Sequence, residues 1–180
     1  MLNRATADLD ACIRDGLLTA DLFLITLGLT EVWQKTDNHR FVCANPGYMK
    51  GGGWFDTRFR LSTFEENHAN LEKTVALIKE INPAARIVLT VSPVPLGGTF
   101  SSSDVLVANM ESKSILRAAA GQICRTQEDA AYFPVYEMCN AIGDIYTEDG
   151  RHVRPEIVRD IVDTFCHSYI EALPASALPA

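Results

Sequence analysis

The chain has 180 residues, of which 47% are apolar and 22% are charged. This length and composition predict one globular domain with its own core, and they exclude a disordered or collagen-like chain. The 16 basic residues are outnumbered by 23 acidic ones, which gives a net charge of −7. That balance argues against nucleic-acid binding, which requires a basic surface.

The five cysteines are odd in number and are spread without C-x-x-C spacing. This pattern predicts reduced thiols in a cytoplasmic protein rather than a disulfide framework or a zinc site. No apolar run approaches the roughly 20 residues that span a bilayer, and the polar first residues do not read as a signal peptide. We therefore expect no membrane association, no metal and no cofactor.

Hydrophobic periodicity predicts helices that alternate with strands. The predicted helices cover about residues 4–17, 64–81 and 104–124, and a last one begins at Pro155. Three apolar runs predict buried strands, at residues 21–27, 86–91 and 132–137. Residues 28–61 lack periodicity and are predicted to form a long irregular loop.

Alternating strands and helices predict a three-layer α/β/α domain with a mainly parallel sheet covered on both faces. No linker or repeat interrupts the pattern, so residues 1–173 are expected to form one domain and residues 174–180 a frayed tail. Ligands of such sheets bind beyond the carboxyl ends of the strands. The loops after Leu27, Val91 and Glu137 are therefore the places to look for chemistry.

A glycine directly follows the first predicted strand, in the segment GLTEVW at residues 28–33. Glycine there lets the backbone approach a ligand, and the Gly28 N–H can donate to a developing oxyanion. The Thr30 hydroxyl could be a second donor. The alternative is a plain turn followed by a buried tryptophan.

Asp149 precedes His152 by three residues, in a turn before the last helix. An aspartate at this spacing can accept from one ring nitrogen and leave the other as a general base. The alternative is a solvated turn, because Asp-Gly is itself turn chemistry.

Two further segments carry polar residues with weaker signals. Ser92 leaves the second strand without the glycines of a nucleophile elbow, which favours a turn residue. Lys113 and Arg117 could face the site, but a solvated helical face is the more usual explanation.

Five segments stand in a specific order: TLGLTEVW (26–33), TVSPVP (90–95), SKSILR (112–117), YFPVYE (132–137) and DGRHV (149–153). Together they resemble the GSCFA family over about residues 20–170, and that family resembles the SGNH (GDSL-like) hydrolases. The resemblance implies an SGNH-type fold and acyl-ester chemistry, as an esterase or an acyltransferase, with a carbohydrate among the candidate substrates.

The resemblance also implies roles for individual residues. Gly28 matches the glycine of the third SGNH block, Thr30 stands where that block has an asparagine, and Asp149 with His152 matches D-x-x-H. The Gly-Ser-Cys-Phe-Ala motif that names the family does not occur in this sequence. We therefore expect the nucleophilic serine and the first strand to lie upstream of residue 1, and this fragment to be inactive.

Two expectations complete the sequence-based interpretation. Trp33 and Trp54, with Tyr48 and Phe55, could form a substrate wall, since aromatic faces suit sugar rings; they could equally pack the loop onto the domain. An open edge at the strand 21–27 would favour self-association. The alternative function is a non-catalytic binding or interaction module derived from the same fold.

Overall fold

Residues 2–42 and 56–170 are described by the structure, a computed structural model. Its elements, in chain order, are α1 (Leu2–Thr19), β1 (Leu22–Leu27), β2 (Glu31–Lys35), β3 (Phe41–Val42), β4 (Thr57–Leu61), α2 (Phe64–Ile81), β5 (Arg86–Val91), α3 (Val105–Thr126), β6 (Ala130–Tyr132), α4 (Val135–Ile142) and α5 (Pro155–Tyr169).

A parallel sheet in the order β1-β5-β6 forms the centre of the molecule. β1 pairs with β5 from Leu22 opposite Arg86 to Leu27 opposite Val91. The run Ile-Val-Leu-Thr-Val in β5 is buried on both sides, as a central parallel strand requires. The predicted α/β class with a mainly parallel sheet is confirmed.

Helices cover this sheet on both faces. Successive β5 side chains point to opposite faces of the sheet, so each face has its own core. Ile87 and Leu89 pack with α2 and α3, in a core with Val75, Ala119 and Ile123. Val88 faces the other way and packs with Phe133, Cys139, Ile145 and Ile161, from the chain around α4 and α5. The layers are therefore α/β/α.

The prediction that β1 is buried on both faces is wrong. Leu24 is 48% exposed, and Thr26 is exposed on the same face. β1 lies at the edge of the described sheet, and a groove of about 350 Å³ separates this face from Val162 and Phe165 of α5. β1 is thus more apolar than its partial burial among the described residues requires.

The prediction of an irregular segment at residues 28–61 is also wrong, since this part of the chain contains an antiparallel sheet in the order β3-β2-β4. β2 pairs with β4 from Glu31 opposite Leu61 to Lys35 opposite Thr57. The strands are short and their partners lie far apart in sequence, so no local pattern revealed the pairing.

The third predicted strand, residues 132–137, is misplaced. β6 ends at Tyr132, and Tyr136 and Glu137 belong to α4. Pro134 supplies no N–H to a sheet and stands instead at the N-cap of α4. The aromatic and β-branched residues around this proline favoured a strand, and the prediction based on them was wrong.

The helix predictions are confirmed, α2 most fully. A capping box begins it, with the Thr63 hydroxyl accepting from Glu66 N–H at 3.3 Å and the Glu66 carboxylate accepting from Thr63 N–H at 3.0 Å. Among the described helices, none combines the length and the apolar character needed to cross a membrane. The predicted tail at residues 174–180 lies outside the described residues.

The exposed edge of β1 generates a prediction about self-association. We expect the wild-type chain to associate through this edge and Leu24→Lys to shift it toward monomer, because a charged side chain on an edge strand opposes pairing with another strand. The free energy of unfolding should change by about 1 kcal/mol or less, since Leu24 is half exposed. Size exclusion with light scattering measures the effect.

Leu106→Lys is the matched control, since Leu106 is 77% exposed and belongs to α3 rather than to a strand. This variant should keep the wild-type distribution of oligomers. A wild-type chain that is monomeric at every concentration would contradict the prediction.

Candidate functional site

Two consecutive residues of α3 hold the loop that follows β1. The Lys113 ammonium donates to the Gly28 carbonyl at 2.8 Å, and the Ser112 hydroxyl accepts from the Thr30 N–H at 2.8 Å. From the opposite side, Ser62 donates to the Thr30 carbonyl through its N–H at 2.8 Å and its hydroxyl at 3.2 Å. The loop is therefore fixed at both ends by buried polar groups.

Only some of the backbone N–H groups of the loop donate a hydrogen bond within the described residues. The Thr30 N–H is used by Ser112, and Thr30 itself is buried. Within residues 2–42 and 56–170, the N–H groups of Gly28 and Leu29 have no hydrogen-bond partner. The oxyanion roles of Gly28 and of the Thr30 hydroxyl remain predictions.

Lys113 is the residue whose surroundings the sequence-based interpretation missed. The solvated helical face expected for it is wrong, because its side chain is 0% exposed. Desolvation lowers the pKa of its ammonium to about 8. Its one hydrogen bond in the described part of the chain goes to a carbonyl, and it forms no ion pair there with a carboxylate. A positive charge is thus buried beside the Gly28 loop without a counter-charge.

A signal for this burial was present in the spacing. The buried stripe of α3 includes Ala108, Ser112, Leu116 and Ile123. A polar residue that falls within the apolar stripe of a helix is expected to face the core. Lys113 lies at the edge of the same stripe.

The turn before α5 brings Asp149 and His152 together. One oxygen of the Asp149 carboxylate accepts from the N–H groups of Arg151 and His152, each at 2.9 Å, and from the Thr147 hydroxyl at 2.7 Å. The other oxygen contacts Nδ1 of His152. Gly150, at φ 68°, takes the left-handed conformation that this turn needs and that glycine adopts without strain.

The hydrogen bond from His152, followed by those of the other donors, holds the pKa of Asp149 well below its usual range. The carboxylate therefore stays charged beside the imidazole. With Nδ1 turned toward Asp149, Nε2 is the nitrogen available to a substrate. The His152 side chain is 74% exposed, so this nitrogen is open to solvent.

Two contacts dock this turn at the carboxyl end of the sheet. The Tyr146 hydroxyl donates to the Pro93 carbonyl at 2.9 Å. The Arg151 guanidinium lies over Gly97, where an added Cβ would stand 3.1 Å from it. The loop after β5 is in turn joined to β1, since Ser92 N–H donates to the Leu27 carbonyl at 2.8 Å.

The loops after Leu27 and Val91 and the turn that carries His152 are therefore joined through the contacts just described. The third predicted loop is not a strand end, because the residues after Glu137 continue in α4. A direct approach of His152 to the Gly28 loop stays a prediction. Ser92 contributes a turn, because its hydroxyl accepts from Val94 N–H at 3.2 Å.

A second polar cluster lies where α3, β6 and α4 meet. Arg117 donates to Glu137 at 2.6 Å, Tyr132 donates to the same carboxylate at 2.8 Å, and the guanidinium stacks 3.9 Å from the centre of the Tyr132 ring. Burial, and then the hydrogen bond to Glu137, raise the pKa of the Tyr132 hydroxyl. The cluster ties α4 to the sheet beside Lys113.

The predicted substrate wall is described only in part. Trp33 packs against Phe100 and Phe59, with ring centroids 4.9 and 5.4 Å away. Trp54, with Tyr48 and Phe55, lies outside the described residues. The role of Trp33 in substrate binding remains a prediction.

Within the described ranges, no group of three or more His, Cys, Asp or Glu side chains is placed to hold a metal ion.

The family profile of the GSCFA family matches residues 1–165. A match over this much of the chain shows that the protein belongs to the GSCFA family. The motifs that carried the resemblance include the residues that build the Gly28 loop, its α3 anchors and the Asp149–His152 turn. No curated protein matches the chain.

The buried ammonium generates a prediction about stability and pH. The folded chain releases the Lys113 proton near pH 8 and the unfolded chain near 10.5, so the unfolded state binds more protons between these values. The free energy of unfolding should therefore rise across this interval, by roughly 3 kcal/mol in total.

Lys113→Met removes this contribution, so the wild-type minus variant difference should become more positive from pH 8 to pH 10. Urea unfolding at a series of pH values measures it. Lys79→Met is the control, because Lys79 also donates to a backbone carbonyl, at 3.0 Å, but pairs with Asp129. Parallel curves for wild type and Lys113→Met would refute the prediction.

Proposed function

We propose that this GSCFA-family protein is an SGNH-type hydrolase or acyltransferase acting on acyl esters of small molecules or glycans. The observation that carries the proposal is the Asp149–His152 pair, with a charged carboxylate on Nδ1 and an exposed Nε2. The supporting observation is that its turn contacts the loop after β5, which is joined to the strand ending at Gly28.

In the proposed reaction, Nε2 of His152 takes the proton of a nucleophilic hydroxyl as that oxygen forms a bond to the ester carbonyl carbon. The imidazolium that results is stabilised by the Asp149 carboxylate. When the tetrahedral intermediate breaks its bond to the leaving alkoxide, His152 returns the proton to that oxygen. The Gly28 N–H and the Thr30 hydroxyl would hold the negative charge on the former carbonyl oxygen.

The nucleophile in this proposal is the serine of the Gly-Ser-Cys-Phe-Ala motif, which is not in the 180-residue sequence. A second hydroxyl, from water or from a carbohydrate, would then attack the acyl-enzyme with the same base. Trp33 would offer an aromatic face to a sugar ring, which suits an acceptor of that class.

A second candidate function is a non-catalytic binding module. It is favoured by one observation: among the described residues, no hydroxyl or thiol is hydrogen-bonded to Nε2 of His152. In this alternative the same turn and loop would bind a ligand without turning it over.

We also propose that copies of the chain associate through the open β1 edge, and that the protein is cytoplasmic. Exposed Leu24 supports the first proposal. The free thiols of Cys12, Cys124, Cys139 and Cys166 suit a reducing compartment.

Ester cleavage separates the two functions. We predict that the 180-residue chain is inactive on p-nitrophenyl acetate, and that a form extended by a strand carrying Gly-Ser-Cys-Phe-Ala cleaves it. In the extended form His152→Ala should lose about 10²–10⁴-fold in kcat, the usual contribution of a general base. Asp149→Asn should fall in the same range, because the imidazole loses its orienting charge.

His167→Ala is the matched control, since His167 is an exposed histidine of α5 bonded to the Asp163 carbonyl at 2.7 Å. Its activity should equal that of the extended wild type. An extended form that binds esters without cleaving them would favour the binding module, and cleavage that survives His152→Ala would exclude His152 as the base.

A further inference from the structure

We infer that Lys113 is a positioning residue that turns the Leu29 N–H, beside the Gly28 N–H, toward an anionic oxygen of the ligand. The inference rests on the proposed function for the chemistry of that ligand, an ester oxyanion or the carboxylate of an acyl product. It adds the Leu29 N–H as a donor and gives the buried lysine a role.

The geometry of one peptide bond carries the first step. The bond between Gly28 and Leu29 is trans, as are all described peptide bonds, so its carbonyl and its N–H point in opposite directions. The Gly28 carbonyl points to the Lys113 ammonium at 2.8 Å. The Leu29 N–H therefore points away from α3, and in the described ranges it has no partner.

The second step is that the loop cannot easily rotate out of this arrangement. Ser112, the residue before Lys113 on α3, holds the Thr30 N–H at 2.8 Å. Flipping the Gly28–Leu29 peptide would break the bond to Lys113 and bury an unsatisfied ammonium, which is costly. Two adjacent helical residues thus hold the loop in the conformation that keeps its N–H groups free.

The third step is electrostatic. A buried charge is normally paired with an opposite charge, yet in the described part of the chain no carboxylate contacts the Lys113 ammonium, whose one hydrogen bond goes to the Gly28 carbonyl. Glu137 is already paired with the guanidinium of Arg117, which lies one turn further along α3. Within the described residues, Lys113 thus has no ion-pair partner beside the loop. An anion on the Gly28 and Leu29 N–H groups would supply the missing counter-charge.

Amide NMR of the ¹⁵N-labelled 180-residue chain tests the inference with acetate as the probe and chloride as the reference anion. In wild type, acetate should shift the Leu29 and Gly28 amide resonances in a saturable way. In Lys113→Met the apparent Kd for acetate should rise at least tenfold, while the remainder of the spectrum stays that of a folded chain. Lys79→Met is the matched control and should bind acetate like wild type.

Ser112→Ala is the second variant, for the case in which Lys113→Met does not fold. It frees the Thr30 N–H and should weaken acetate binding while leaving Lys113 in place. Wild-type Leu29 and Gly28 resonances that do not respond to acetate would overturn the inference. So would Lys113→Met or Ser112→Ala chains that bind acetate with wild-type affinity and shifts.

His152→Ala separates this inference from the proposed function. The variant should keep the acetate-induced shift of Leu29, because the loop is anchored by α3 and not by His152. Loss of ester cleavage with retention of the shift leaves the inference standing as a carboxylate-binding loop. Loss of the shift in His152→Ala would overturn it.

Discussion

The candidate site depends on the parallel pairing of β1 with β5. Their register sets Leu27 beside Val91, so both strands end at the same level and their loops leave side by side. A shift of one residue would turn every β5 side chain to the opposite face. The register is held because Ile87 and Val88 are buried in different cores, and each core admits only its own set of side chains.

The two halves of the site are held in physically different ways. Asp149 and His152 are three residues apart, exposed, and joined within one turn, so their arrangement is local. The Gly28 loop is instead held by Ser112 and Lys113, which are more than 80 positions away in sequence, and by tertiary packing of α3. Substitutions that displace α3 should therefore change the conformation of the Gly28 loop while leaving the Asp149–His152 turn intact.

This division explains how much the sequence could predict. The helices, β1, β5 and the Asp149–His152 pair rest on periodicity, caps and short spacing, which are visible locally. β2 and β4 were not predicted, because their pairing is non-local and each strand has five residues. Lys113 was misjudged for a related reason: lysine is almost always exposed, and only the tertiary fold shows that the Gly28 carbonyl is its partner.

A buried ammonium is a poor way to stabilise a helix, since an apolar side chain of similar volume would avoid the desolvation cost. The lysine is better explained by the loop conformation that it imposes. The same reasoning applies to β1, which ends in that loop, whose outer edge has no partner among the described strands, and whose Leu24 is half exposed. A further strand running parallel along this edge would bring its own carboxyl end beside Gly28, because parallel strands end at one edge of a sheet. In the proposed function that is where a nucleophile is needed, with Lys113 fixing the oxyanion donors from one side and the added strand from the other. Under the proposed function, the β1 edge that is open in the described sheet and the Gly28 and Leu29 N–H groups that have no partner among the described residues belong to one site. The contacts of Ser112 and Lys113 would anchor its backbone before a ligand binds.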